Sequence, residues 1–185
     1  MAVVEKLQSL SVDEFLRGEL NSEVRHELVS GAVYAMVGSS DAHNLVAGSL
    51  YSLLRHHLRS SPCRVFMSDM KVRVEDNFFY PDLVVSCVPQ ETPFYYVSAP
   101  KIIIEVLSPS TEARDRLDKR LAYQHLESLQ EYVLIAQDKV WVEVIRRITD
   151  GWEVERLSHG DTLHLHALQF TSPVEMLYAD VLSSG

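Results

Sequence analysis

The chain has 185 residues, 46% of them hydrophobic and 23% charged, with seven glycines and seven prolines. This length suits one domain with a sizeable core, and no apolar stretch reaches the roughly eighteen residues needed to span a membrane. A net charge of −9 counts against a non-specific nucleic-acid binder, which normally carries a basic footprint. The acidity is uneven, however. From Asp150 onward six acids face one base, Arg156, whereas Lys101 to Arg120 holds five bases and four acids. The N-terminal MAVVEKLQSLSVDEFL has acids where a signal peptide needs a basic region and an unbroken apolar core. Cys63 and Cys87 show no CxxC spacing and no disulfide framework. Together these features predict a reduced, cytoplasmic protein folded as a single domain over residues 1–185, with its core in about 11–178.

Ser11 with Glu14 reads as a capping box and predicts a helix from Val12 to about Arg17. Two strands, Arg25 to Ser30 and Ala32 to Val37, follow with a tight join at Ser30-Gly31. Leu45, Leu50, Leu53, Leu54 and Leu58 recur at helical spacing between about Asp41 and Arg59, and Pro62 marks the exit. From Arg64 the period becomes two: Val65 and Met67, then Val72 and Val74, alternate with polar neighbours up to a turn at Asp76-Asn77. Tyr80 to Cys87 continues as a third strand, and a proline-punctuated loop runs from Pro89 to Pro100. Ile102 to Leu107 is almost wholly apolar and β-branched, as suits a central strand buried on both faces. Ser110 or Thr111 starts a helix to about Leu126. The rest reads as a β-meander, Glu131 to Gln137, Val140 to Ile148 and Trp152 to Leu157, with a short helix after Pro173. One mixed sheet with flanking helices is the simplest architecture.

Three pieces of this chain could carry chemistry. Tyr80-Pro81-Asp82 delivers an acid into an apolar strand. Glu105 is a lone charge within Lys101-Ile-Ile-Ile-Glu105-Val106-Leu107. Asp115, Lys119 and Tyr123 stack at i, i+4 and i+8 on one helix face. A carboxylate in a buried strand is costly unless it is paired or bound to a metal. If Asp82 ends a neighbouring strand, its carboxylate would converge with that of Glu105 and with the Val106 carbonyl. Three hard oxygens are what Mg²⁺ takes while keeping several waters. Lys119 would then orient a water or neutralise a phosphate. Plainer readings stand beside these. Asp82 could terminate a turn, Glu105 could pair with Lys101 on its own strand, and Lys119 could lie on a solvated face beside Asp115. Tyr123 could simply pack, and His43 could cap or pack at its helix start. Ser108-Pro109-Ser110-Thr111 is better read as a helix N-cap than as a nucleophile loop. His56-His57 and His164-x-His166 have no third ligand at suitable spacing and read as surface residues.

Taken in order, several motifs resemble the PD-(D/E)XK nuclease superfamily, and within it a restriction-endonuclease family abundant in cyanobacteria. They are Arg25-His26-Glu27-Leu28-Val29-Ser30-Gly31, His43, Tyr80-Pro81-Asp82, Glu105-Val106-Leu107-Ser108-Pro109-Ser110-Thr111, Asp115-x3-Lys119-x3-Tyr123, and the strand Glu131 to Ile135. The resemblance spans roughly Ser11 to Tyr178. It implies an α/β, restriction-endonuclease-like fold, a mixed β-sheet flanked by helices with a C-terminal β-meander. It also implies a metal-dependent endonuclease hydrolysing DNA phosphodiester bonds. In that reading Asp82, Glu105 and Val106 hold Mg²⁺ (or Mn²⁺), Lys119 assists, Glu27 is a further acidic contributor, and the protein works as a homodimer. One departure is evident. The superfamily lysine two residues after the acid falls at Leu107, so Lys119 from the following helix would replace it. Two alternatives stay open: a silent module of the same fold that binds nucleic acid or a protein, and a nuclease restricted to RNA or branched DNA.

Overall fold

A computed structural model of the chain describes residues 10–36, 38–89, 95–108 and 115–182. Its axis is the apolar run Ile102–Leu107 (β8), buried at every position. β8 lies inside a six-stranded sheet with Arg64–Met67 (β3), Leu83–Ser86 (β6), Glu131–Ala136 (β9), Val142–Ile148 (β10) and Gly151–Leu157 (β11), in the order β11-β10-β9-β8-β6-β3. The β8–β9 pair is parallel and the other pairs are antiparallel. A parallel pair needs a long crossover. Here the crossover includes a π-helical turn, Asp115–Lys119, that continues into a short helix, Arg120–Gln124 (labelled α3).

Alternation along the strands divides the core in two. Ile102, Ile104, Val106, Val133, Ile135, Val142 and Val144 face one way and pack with Val46, Leu50 and Leu54 of the long helix Asp41–His57 (α2). Ile103, Leu107, Tyr132, Leu134 and Ile145 face the other way. There they meet Tyr123 of α3 and the residues Val72 and Phe79 of a second sheet. That sheet contains His26–Val29 (β1), Ala32–Ala35 (β2), Lys71–Val74 (β4), Asn77–Phe79 (β5) and Tyr96–Val97 (β7), in the order β2-β1-β5-β4-β7. The N-terminal helix Val12–Glu19 (α1) starts with the capping box expected at Ser11 and Glu14 and packs Phe15 on Phe78. A ribbon of Thr162–Leu165 (β12) and Phe170–Pro173 (β13) follows the meander. The segment after Pro173 is a 3-10 turn, Val174–Tyr178.

The structure departs from the expectation of a single sheet. The alternating run from Arg64 to Val74 is split between two sheets, because Ser68 adopts φ 57° and turns the chain out of the first one. The Ser68 N–H is retained by the Asp82 carbonyl at 2.9 Å. The strand expected from Tyr80 to Cys87 begins only at Leu83, since Pro81 has no N–H to give a ladder. The expected start of the helix at Ser110 or Thr111 lies outside the described residues. The cysteines also differ from expectation. The Arg64–Ser86 pair of the β3–β6 ladder sets Cys63 opposite Cys87, and the two form a disulfide with Cα atoms 3.9 Å apart. A separation of 24 residues gave no signal of that pairing. Among the described residues no helix is long and apolar enough to cross a membrane.

Leu54 is fully buried where α2 meets the sheet. Leu54→Ala is expected to cost about 2–5 kcal/mol, read as a lower urea midpoint at unchanged slope. A loss below about 0.5 kcal/mol would contradict this packing.

Candidate functional site: an acid cluster clamped by a lysine

Glu105 is the fourth residue of β8, and alternation turns it to the same face as Ile103 and Leu107. That face is closed by α3, so the carboxylate is almost wholly buried, with a side-chain exposure of 4%. Two donors meet it: Lys119 Nζ at 3.1 Å and Tyr123 OH at 3.2 Å, both on Oε1. They stand four residues apart and reach the same atom. Lys119 ends the π-helical turn, and such wider turns recur at functional sites. The Asp115 side chain, the expected partner of Lys119, lies outside what is described. Lys101 does not pair with Glu105; it lies at the opposite end of β8.

Lys119 also touches a second acid. Its Nζ is 3.1 Å from Oε1 of Glu27, which β1 carries in from the other sheet and which is 3% exposed. The same Glu27 oxygen accepts the backbone N–H of Tyr80 at 3.1 Å. Glu27 therefore fixes both the lysine and the segment that leads into Pro81-Asp82. Burying an ammonium between two carboxylates costs several kcal/mol of desolvation per ion, which only close and well-bonded geometry offsets. Lys119 has such geometry.

Asp82 lies one step beyond the Leu83–Ile104 pair of the β6–β8 ladder, beside Glu105. Its Oδ2 accepts the Val106 N–H at 2.7 Å, and His43 Nε2 lies 3.2 Å from the same oxygen. With 19% side-chain exposure, Asp82 is the most accessible of the three acids. His43 reaches it from the first turn of α2, across the sheet edge. The sequence reading undervalued His43. Its spacing from Val46, Ala47, Leu50 and Leu54 places it on the buried face of α2, where a polar side chain requires a partner.

Behind Tyr80 lies a further buried network that the sequence reading missed. The Tyr80 hydroxyl donates to Glu19 Oε1 at 3.0 Å and accepts from Lys71 Nζ at 3.1 Å, and Glu19 also accepts the His26 N–H. Burial holds the Lys71 ammonium below the ordinary lysine pKa, opposed by the nearby Glu19 charge. Burial first, and then Glu19, push the Tyr80 phenol well above its usual value. Glu19 was legible in principle, because it follows Phe15 by four on the apolar face of α1.

The donor set can be tested against a divalent cation. Glu27, Asp82 and Glu105 gather three carboxyl groups, two of them on Lys119 and the third on His43. Carboxylates are hard oxygen donors, and Mg²⁺ is usually held by one or two of them with waters filling the rest. Among the described residues no group of three or more His, Cys, Asp or Glu side chains is arranged as a cage. Asp82 and Glu105 supply two hard carboxylate donors, the number with which Mg²⁺ is commonly held. Replacing Lys119 would remove the ammonium that both buried carboxylates contact. Lys119→Met is expected to lose about 3–5 kcal/mol of unfolding free energy, most of it regained in the Glu27→Gln/Lys119→Met/Glu105→Gln triple variant. A single variant as stable as wild type would contradict the clamp.

Comparison with known proteins gives the fold and this site a context. The crystal structure titled a "putative nuclease belonging to DUF820", from Anabaena variabilis, superposes with a TM-score of 0.77. It covers 91% of this chain and 97% of that one at 20% identity, so the likeness is one of fold. Two Synechocystis proteins share more sequence. "Uncharacterized protein slr1290" is 32% identical over 173 residues, covering 91% of each chain. "Uncharacterized protein sll1609" is 31% identical over 157 residues, covering 81% of this chain and 88% of its own. Residues 12–175 match the model of the Uma2 family, described as "Putative restriction endonuclease". With both sheets, α2 and the acid cluster inside that match, the chain belongs to the Uma2 restriction-endonuclease family.

Proposed function

We propose that this protein is a metal-dependent endonuclease that hydrolyses DNA phosphodiester bonds, with Mg²⁺ or Mn²⁺ as the ion. The observation that carries this reading is the placement of Asp82 and Glu105 side by side on neighbouring strands, beside a clamped lysine. Asp82, Glu105 and the Val106 carbonyl would be the protein ligands. When bound, the ion would lower the pKa of a water and stabilise negative charge on the phosphate.

The protein's own residues would do the positioning. His43 and the Val106 N–H hold the Asp82 carboxylate from two sides, while Tyr123 and Lys119 hold that of Glu105. Glu27 ties Lys119 to the Tyr80 backbone, so that the lysine and Asp82 keep a fixed relation. Lys119 would present its ammonium to a phosphate oxygen or to the attacking water. The motif position two residues after Glu105 is Leu107, which is buried against the second core and has no charge to offer. A lysine entering from the crossover supplies the same charge to the same acid, as the 3.1 Å contact to Glu105 supports. A homodimer, one site per DNA strand, belongs to this reading. The fully exposed edge strand β2, with Val33 and Tyr34 on its surface, is a candidate dimer contact.

The test is nicking of supercoiled plasmid in Mg²⁺ or Mn²⁺, with EDTA as control. Wild type is expected to nick only with metal, and Asp82→Ala and Glu105→Ala are each expected to fall about 100-fold or more. Lys119→Ala should fall comparably, with its folding checked by melting. Undiminished nicking by both acid variants would contradict the assignment. Absence of both nicking and metal binding in the wild type would favour the silent-module reading.

A further inference from the structure

At the end of the sheet opposite the acid cluster lies a cleft of about 690 Å³, lined among others by Lys101, Gln130, Glu131, Arg146, Arg147 and His166. Lys101 immediately precedes β8, and its backbone is fixed by Lys101 N–H to Val85 O at 2.7 Å and Gln130 N–H to Lys101 O at 2.9 Å. It stands four residues before Glu105, about 13 Å away along the strand. The cleft is therefore separate from the acid cluster.

Its charges do not cancel. Arg146 is spent on carboxylates, with Nε 2.9 Å from Glu131 and Nη2 3.2 Å from Glu155. Glu131 is consumed in turn, by Arg146 and by the backbone N–H groups of His166 and Ala167, each at 3.1 Å. Two cations are left over. Lys101 has no ion pair or side-chain hydrogen bond among the described residues. Arg147 gives Nε to Leu129 O at 2.7 Å and Nη2 to Leu126 O at 2.7 Å and Gln124 O at 3.4 Å, all of them carbonyls. Its guanidinium also stacks 4.3 Å over Trp152, so the group is held rigid, and its Nη1 has no acceptor among the described residues. Lys101 and Arg147 face no carboxylate, and with Arg146 set against both Glu131 and Glu155 the cleft keeps one positive charge in excess, in a chain whose net charge is −9.

We infer that this cleft binds a small organic phosphomonoester of about mononucleotide size. A phosphomonoester carries about −1.5 to −2 charge at neutral pH, which the Lys101 ammonium and the Arg147 guanidinium would meet, and its oxygens suit the fixed N–H groups of an arginine. The volume falls within the roughly 300–1,000 Å³ of small-molecule sites and is far larger than inorganic phosphate requires. The apolar walls at Val88, Ala99 and Ala167 suit the organic body.

The test is calorimetric titration of the full chain with adenosine 5′-monophosphate, inorganic phosphate and adenosine, all in EDTA so that no metal recruits phosphate to the acid cluster. The monophosphate is expected to bind in the millimolar range or tighter, inorganic phosphate more weakly and in competition with it, and adenosine not at all. Lys101→Gln should weaken the monophosphate about tenfold while its ligand-free melting temperature stays that of wild type. Asp82→Asn should bind as wild type does. Failure of both phosphates to bind, wild-type affinity in Lys101→Gln, or loss of binding in Asp82→Asn would each overturn the proposal.

Discussion

The structure depends on the requirement that buried carboxylates be compensated. Glu27 and Glu105 come from different sheets, and a single ammonium, Lys119, stands 3.1 Å from both. That contact sets where the crossover between β8 and β9 must lie, because Lys119 and Tyr123 have to reach Glu105 from the same short stretch. It also sets how the second sheet seats against the first. Glu27 can hold Lys119 only while β1 lies over the face of β8 that carries Glu105, and its bond to the Tyr80 N–H then aims Asp82 at the sheet edge. The apolar contacts around this cluster supply most of the burial energy, but they have no direction of their own. The charged contacts fix the register.

An arrangement of this kind is costly to bury. Buried ion pairs often contribute little net stabilisation compared with apolar residues of similar volume. Three acids, one lysine and a histidine gathered at strand ends therefore point to a use beyond packing. The gathering of three carboxyl groups distinguishes this cluster from a simple ion pair such as Arg156 with Glu143, whose guanidinium is largely exposed. At the far end of the same strands Lys101, Arg146 and Arg147 stand with two carboxylates, Glu131 and Glu155.

Part of this was legible in the sequence, for physical reasons. Glu105 announced itself because a charge in a run of isoleucines needs an explanation. The meander followed from apolar runs separated by turns, and α2 from leucines at helical spacing, although Leu45 is exposed and Val46 and Ala47 share the buried face. The split into two sheets was hidden, because it rests on a positive φ at Ser68, a residue type that gives no glycine-like warning. The Cys63–Cys87 bond was hidden because it depends on the β3–β6 register rather than on spacing. Glu27 entered only through family resemblance; nothing in a four-residue strand marks one buried glutamate as different. The Glu19–Tyr80–Lys71 network joins the β4–β5 hairpin to a helix 61 residues earlier, so the spacing that places Glu19 on the apolar face of α1 does not reveal its partners.

The central claim is that the acid cluster holds a divalent ion. Calorimetric titration of Mn²⁺ into wild type and into Asp82→Asn, with Lys101→Gln as a control at the opposite end of the sheet, tests it most directly. The account predicts one site in wild type, lost in Asp82→Asn and intact in Lys101→Gln. Wild type without a site, or Asp82→Asn binding as tightly as wild type, would contradict it.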